Sequence, residues 1–196
     1  MRIYMVRHGE TVLNQKGCYY GRTDVPLAGE GERQAEKLAL FFKDVSFDLI
    51  LCSPLRRAVS TAEIIGKNKN VGIWKDGRLS EQDFGWFEGM TYREIKSRFP
   101  RHLEEWERSY EEYRLPGGES FLDVRRRVEH FLEDLSALEI KTLLLVAHKG
   151  TFGHFLAAAL GLSPGGYWNF VFEQGCYSCV DLEDGYAIIR KLNQSV

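Results

Sequence analysis

Three short segments far apart in the chain carry side chains suited to a phosphate group: Arg7-His8-Gly9, Ser53-Pro54-Leu55-Arg56-Arg57 and His148-Lys149-Gly150. Guanidinium forks bind phosphate oxygens in bidentate fashion, and a neutral imidazole is a nucleophile able to attack phosphorus. If the fold brings the segments to one point, Arg7, Arg57, His8 and His148 surround a single dianion. The chemistry suggested is phosphoryl transfer. Other routes to it each lack a part. Neither Cys52 nor Cys176 has an arginine six positions on, no Asp-x-Asp follows a strand, and no G-x-x-x-x-G-K-[ST] phosphate loop occurs. What is left is a histidine mechanism without metal or cofactor.

The elements that must position these residues alternate between strand and helix patterns, with no repeat or long linker, which predicts an α/β fold. Arg2 to Val6 and Asp48 to Cys52 read as strands, and Thr142 to Ala147 is an unbroken apolar run expected of a strand covered on both faces. Helices are predicted with Ala35, Leu38, Ala39 and Phe42 on one face, over Leu55 to Ile65, from Ser120 with Asp123 in a capping box, and from about Thr151. Cys176 to Leu182 and Tyr186 to Leu192 flank Glu183-Asp184-Gly185, a hairpin placing an antiparallel pair at one side of the sheet. Each chemical segment ends a strand, and in an open parallel sheet the carboxyl ends of adjacent strands meet at a ligand-binding crevice.

Composition narrows the partners. A length of 196 residues with 44% hydrophobic residues fits one domain with a sizeable core. A net charge of -2 gives no sign of nucleic acid or an anionic membrane as a partner, which leaves a small soluble substrate as the default, and no apolar stretch approaches the ~18 residues of a membrane span. Arg2 leads directly into a strand with no signal-peptide pattern, so a cytoplasmic location is expected. The four cysteines suit reduced thiols, and Cys176-x-x-Cys179 suits strand packing better than a zinc site. Nothing in the pattern specifies an oligomeric state.

Arg7-His8-Gly9-Glu10-Thr11 with Asn14 resembles the signature of the histidine phosphatase superfamily, which includes the cofactor-dependent phosphoglycerate mutases. The resemblance runs on through Asp24-Val25-Pro26-Leu27, Ser53-Pro54-Leu55-Arg56-Arg57-Ala58 with Thr61, Leu79-Ser80-Glu81, Phe84-Gly85, Glu88-Gly89 and Val146-Ala147-His148, in the family's order. It implies a three-layer α/β/α sandwich with a mostly parallel central sheet, phosphoglycerate mutase-like, over residues 1-196, and a helical lid inserted around 82-118. It also implies that His8 becomes phosphohistidine, that Arg7, Arg57 and His148 bind the phosphate with Asn14 helping, and that Glu81, in preference to Asp83 or Glu88, carries the proton. Arg56 is expected to be a solvated helix charge, and His102, His130 and His154 surface or packing residues. Where many members have Gly-Gly after the second histidine, this chain has Lys149-Gly150, and Lys149 offers either a cationic contact to an acidic substrate or a solvent-facing charge.

The segment Glu81 to Gly89 resembles the phosphatase branch, and the longer insertions of the mutases are missing. Trp168 to Ser178 is similar to α-ribazole-5′-phosphate phosphatases, which implies that substrate, ahead of phosphoserine or sugar phosphates. Trp74, Trp86, Phe87, Trp106, Tyr110 and Tyr113 are expected around the covering segment, where one or two would stack on a dimethylbenzimidazole ring and the others pack the lid.

Overall fold

The computed structural model describes residues 1–196. The chain opens with β1 (Arg2–Arg7), a single capped turn α1 (Val12–Gln15) and a two-residue strand β2 (Cys18–Tyr19), then α2 (Gly29–Phe41), β3 (Leu49–Cys52) and α3 (Arg56–Gly66). There follow β4 (Ile73–Lys75), β5 (Met90–Thr91), α4 (Tyr92–Arg98), α5 (Pro100–Arg108) and α6 (Phe121–Ser136). The chain closes with β6 (Thr142–Ala147), α7 (Lys149–Ala159), β7 (Cys176–Glu183) and β8 (Tyr186–Ser195). Six strands form the main sheet in the order β4-β3-β6-β1-β7-β8, with β4, β3, β6 and β1 parallel and the β7-β8 hairpin antiparallel at one side.

Strand alternation divides the core. Leu143 and Leu145 of β6 face Val124, Val128 and Phe131 of α6 and Phe152 and Phe155 of α7. Leu144 and Val146 face Leu38 and Phe42 from α2 and its end, with Ala58, Ala62 and Ile65 of α3. Both faces of β6 are therefore apolar, which is the reason for its unbroken hydrophobic run. The Ser120 hydroxyl accepts from the Asp123 backbone N–H while the Asp123 carboxylate accepts from Ser120, closing the expected capping box of α6.

Three details differ from the sequence reading. α7 begins at Lys149, two residues before Thr151, because extended His148 is its N-cap and its carbonyl accepts from Phe152 N–H at 3.0 Å. Asp48 precedes β3 instead of opening it, and its carboxylate accepts from Lys141 and Thr142 N–H, each at 2.8 Å, at the start of β6. Trp74 is not near the covering segment: it lies on edge strand β4, 66% exposed.

Residues 82–118 leave the sheet and build a small core of their own from Phe87, Ile95, Leu103, Trp106 and Leu115. The two ends of this segment are tied together. Trp86 N–H donates to Pro116 O at 3.0 Å, and Glu119 N–H donates to Asp83 O at 2.9 Å. Gly85 sits between them at φ 51°, and a Cβ there would overlap the Pro116 carbonyl, so only glycine fits. No helix is long and apolar enough to cross a membrane.

Candidate active site

The parallel register sets the site. Arg7 pairs with Ala147 and Cys52 with Val146, so His8, Ser53 and His148 leave three neighbouring strands together. His8 N–H donates to Ala147 O, and Ser53 N–H to Val146 O, both at 3.0 Å. The His8 and His148 rings lie 5.0 Å apart, both buried. His8 Nδ1 is 2.8 Å from Gly9 O. A carbonyl only accepts, so Nδ1 carries the proton and the lone pair is on Nε2. Burial, then the charges of Arg57 and Arg7, holds the His8 pKa well below its ordinary value, which keeps the ring neutral. Burial, then Arg57 and His8, does the same to His148. His148 Nε2 is 2.8 Å from Ser53 Oγ.

Arg57, in the first turn of α3, is fully buried, over the Tyr20 ring at 4.6 Å. Its outer nitrogens are held by backbone: Nη1 donates to Thr23 O at 3.0 Å and Nη2 to Gly21 O at 2.7 Å. Arg7 Nη1 donates to Phe172 O at 2.9 Å. Burial lowers the pKa of both arginines, yet guanidinium stays charged in proteins. Three buried nitrogens around this point have no protein partner: Nε of Arg7, Nε of Arg57 and Nδ1 of His148. Unpaired buried polar groups are rare in folded proteins, and these three sit on residues grouped about the His8 and His148 rings, where the two guanidinium nitrogens are donors available to an anion.

Asn14 reaches the same region from α1. Its Oδ1 accepts from Thr11, from Tyr20 OH at 2.8 Å and from Gln174 Nε2 at 2.7 Å, which leaves Nδ2 to donate. Glu81 approaches from the other side, where Oε2 accepts from Gly150 N–H of α7 at 3.1 Å and Oε1 from Gln82 N–H at 3.0 Å. A Cβ at position 150 would overlap this carboxylate. Lys149 is exposed, so the departure from Gly-Gly falls on the position with room for a side chain. Lys149 and Glu81 line a cleft of about 320 Å³ whose walls include Tyr19, Phe84, Trp106, Tyr110, Tyr167 and Trp168.

The competing carboxylates are engaged elsewhere. Glu88 accepts from the backbone N–H of Gly21, Arg22, Thr23 and Phe84 at 2.8–3.1 Å and from Thr23 Oγ1 at 2.5 Å, while Asp83 accepts from Gly85 N–H. Glu88 thus fixes the loop whose carbonyls hold Arg57. Arg56 is exposed, with its N–H bonded to Asp24 at 2.7 Å. His130 is exposed, His102 Nδ1 is 2.7 Å from Tyr113 OH, and His154 is buried between Phe121 and Tyr167. Sequence reasoning missed Tyr20, Gln174, Tyr167 and the support given by Glu88. No spacing marks them, because each acts through a turn that only the folded chain brings near.

A family model described as the histidine phosphatase superfamily (branch 1) matches residues 3–195. The adenosylcobalamin/alpha-ribazole phosphatase of Escherichia coli is 32% identical, covering 98% of this chain and 96% of that protein. Phosphoserine phosphatase 1 of Hydrogenobacter thermophilus is 31% identical, covering 98% and 92%. Among solved structures, the alpha-ribazole phosphatase from Shigella flexneri superposes with a TM-score of 0.94 at 33% identity, covering 99% of this chain and 96% of that one. With a matching model and relatives that span nearly its whole length, this chain belongs to the histidine phosphatase superfamily, branch 1.

Proposed function

We propose that this chain, as a single domain, hydrolyses phosphomonoesters through phosphohistidine at His8, with α-ribazole 5′-phosphate as its substrate. The observation that carries the reading is the set of unpaired buried nitrogens on Arg7, Arg57 and His148 beside a His8 ring whose Nε2 is free. In the first step a bond forms from His8 Nε2 to phosphorus as the ester oxygen departs, and the Glu81 carboxyl gives that oxygen its proton. In the second, water attacks phosphorus, the Nε2–P bond breaks, and Glu81 takes back a proton as inorganic phosphate is released. Arg7, Arg57, His148 and Asn14 bind the phosphate oxygens, and the fixed donors stabilise charge in the transition state. Lys149 contacts the substrate at the cleft mouth, and residues 82–118 act as the lid.

Support for α-ribazole 5′-phosphate comes from the E. coli and S. flexneri relatives and from the aromatic walls of the cleft. The phosphoserine phosphatase relative supplies the competing substrate. In this reading the protein is cytoplasmic and its partner is a small phosphate ester, with no nucleic acid. Phosphate release without added metal, compared for α-ribazole 5′-phosphate, phosphoserine and 3-phosphoglycerate, tests the substrate through kcat/KM: preference for phosphoserine would replace it. His8→Ala is expected to lower kcat by at least about 10³-fold and to trap no acid-labile phosphate on the protein. Near-normal turnover in that variant would overturn the mechanism.

A further inference from the structure

The cleft beside Glu81 has an aromatic wall built from two separate parts of the chain. Trp106 and Tyr110, from the 82–118 segment, are stacked at 5.6 Å and 26°. Beside them, the turn Pro164–Asn169 presents Trp168, whose ring packs against Tyr110 at 5.3 Å and against Tyr167 at 4.8 Å. Even so, Trp168 is 62% exposed at the lining of the cleft. Leaving so much of a large apolar ring in water forfeits burial free energy.

The polar content of the cleft is sparse. Glu81 and Lys149 are its charged residues, so a second carboxylate to receive an amino acid's ammonium group is missing from the lining. Two other lining residues, Trp106 and His154, each have a buried ring nitrogen with no protein partner. Burial pushes His154 down to about 3, so its ring is neutral. A volume of about 320 Å³ lies at the lower end of the ~300–1,000 Å³ found for small-molecule sites and exceeds the needs of a phosphate alone.

We infer that Trp168 is a specificity-determining residue: its exposed face, continuous with Tyr110, stacks on a flat aromatic heterocycle carried by the leaving group. The inference rests on the phosphomonoesterase reading for its location and extends it to a residue outside the 82–118 segment. The stack recognises a π-face, so it accepts other heterocyclic nucleoside monophosphates as well as α-ribazole 5′-phosphate, and it gives nothing to an ester without a ring.

The test compares wild type, Trp168→Ala and Trp168→Phe on α-ribazole 5′-phosphate, adenosine 5′-monophosphate and ribose 5-phosphate. In Trp168→Ala the ratio of kcat/KM for each ring-bearing substrate to that for ribose 5-phosphate should fall about 5- to 150-fold, the span of base–aromatic stacking. Trp168→Phe should recover most of the ratio. The ratio cancels any loss of correctly folded protein. An unchanged ratio overturns the stack even if α-ribazole 5′-phosphate is the preferred substrate. A fallen ratio with adenosine 5′-monophosphate preferred keeps the stack and removes the named substrate. Calorimetric titration with free α-ribazole needs no turnover: weaker binding to Trp168→Ala supports the stack, and equal binding overturns it.

Discussion

The carbonyl of Gly9 decides which nitrogen of His8 is basic. By accepting from Nδ1 it leaves Nε2 as the basic atom, and burial beside two guanidinium groups keeps that atom unprotonated. Glu81 is placed as closely, by the backbone N–H of Gly150 where no side chain fits. Gly150→Ala is therefore expected to push the carboxylate aside and lower kcat roughly 10- to 100-fold on an alkyl phosphate, within the ~10²–10⁴ that acid–base help supplies. With p-nitrophenyl phosphate, whose leaving group needs no proton, the loss should be much smaller in the same steady-state assay. Equal losses on both substrates would contradict the acid role. Much at this scale was legible in the sequence: Arg7, His8, Arg57 and His148 end strands or open helices, and the register brings them together. Glu88 was not legible as a support, since a carboxylate near Glu81 looks the same whether it moves protons or binds five loop donors.

Among the elements, the crossed ends of the 82–118 segment hold the aromatic wall over the site. Gly85 combines a left-handed backbone with close approach to Pro116. Gly85→Ala should cost roughly 1–3 kcal/mol, read from the urea midpoint of unfolding, and should speed proteolytic cleavage within 82–118. A change below about 0.3 kcal/mol would show that the crossing yields easily. Long elements with strong periodicity, such as β6 and α6, were readable because their burial pattern repeats over several turns or both faces. The β2–β5 pair has two residues on each side and β4 has three, too few for any period, and their pairing is dictated by what lies next to them. Trp74 was misplaced for that reason: an aromatic on an unrecognised edge strand carries no local sign of its distance from the site.

For the whole molecule, placing β6 between β3 and β1 gathers the site and also buries ionisable rings in quantity. His8, His148 and His154 are all held below the ordinary histidine value, chiefly by burial. The unfolded chain, with histidines near 6.5, then binds more protons than the folded one as pH falls, so stability is greatest above about pH 6.5 and is lost below it. Each such histidine should cost on the order of 1 kcal/mol between pH 7.5 and 5.5, and the three together a few times that, measured by urea unfolding at the two pH values. His154→Phe should remove about a third of that difference. A stability independent of pH over this range would mean that these rings titrate normally.

Glu88 belongs to the 82–118 segment by sequence, but its oxygens are committed to the loop at Gly21–Thr23 that orients Arg57. Under the proposed function, the boundary between the specificity half of the protein and its phosphate-binding half would therefore not follow the boundary of the 82–118 segment. Exchanging that segment between relatives would then transfer part of the phosphate grip along with the walls of the cleft, coupling substrate choice and phosphate affinity through one carboxylate.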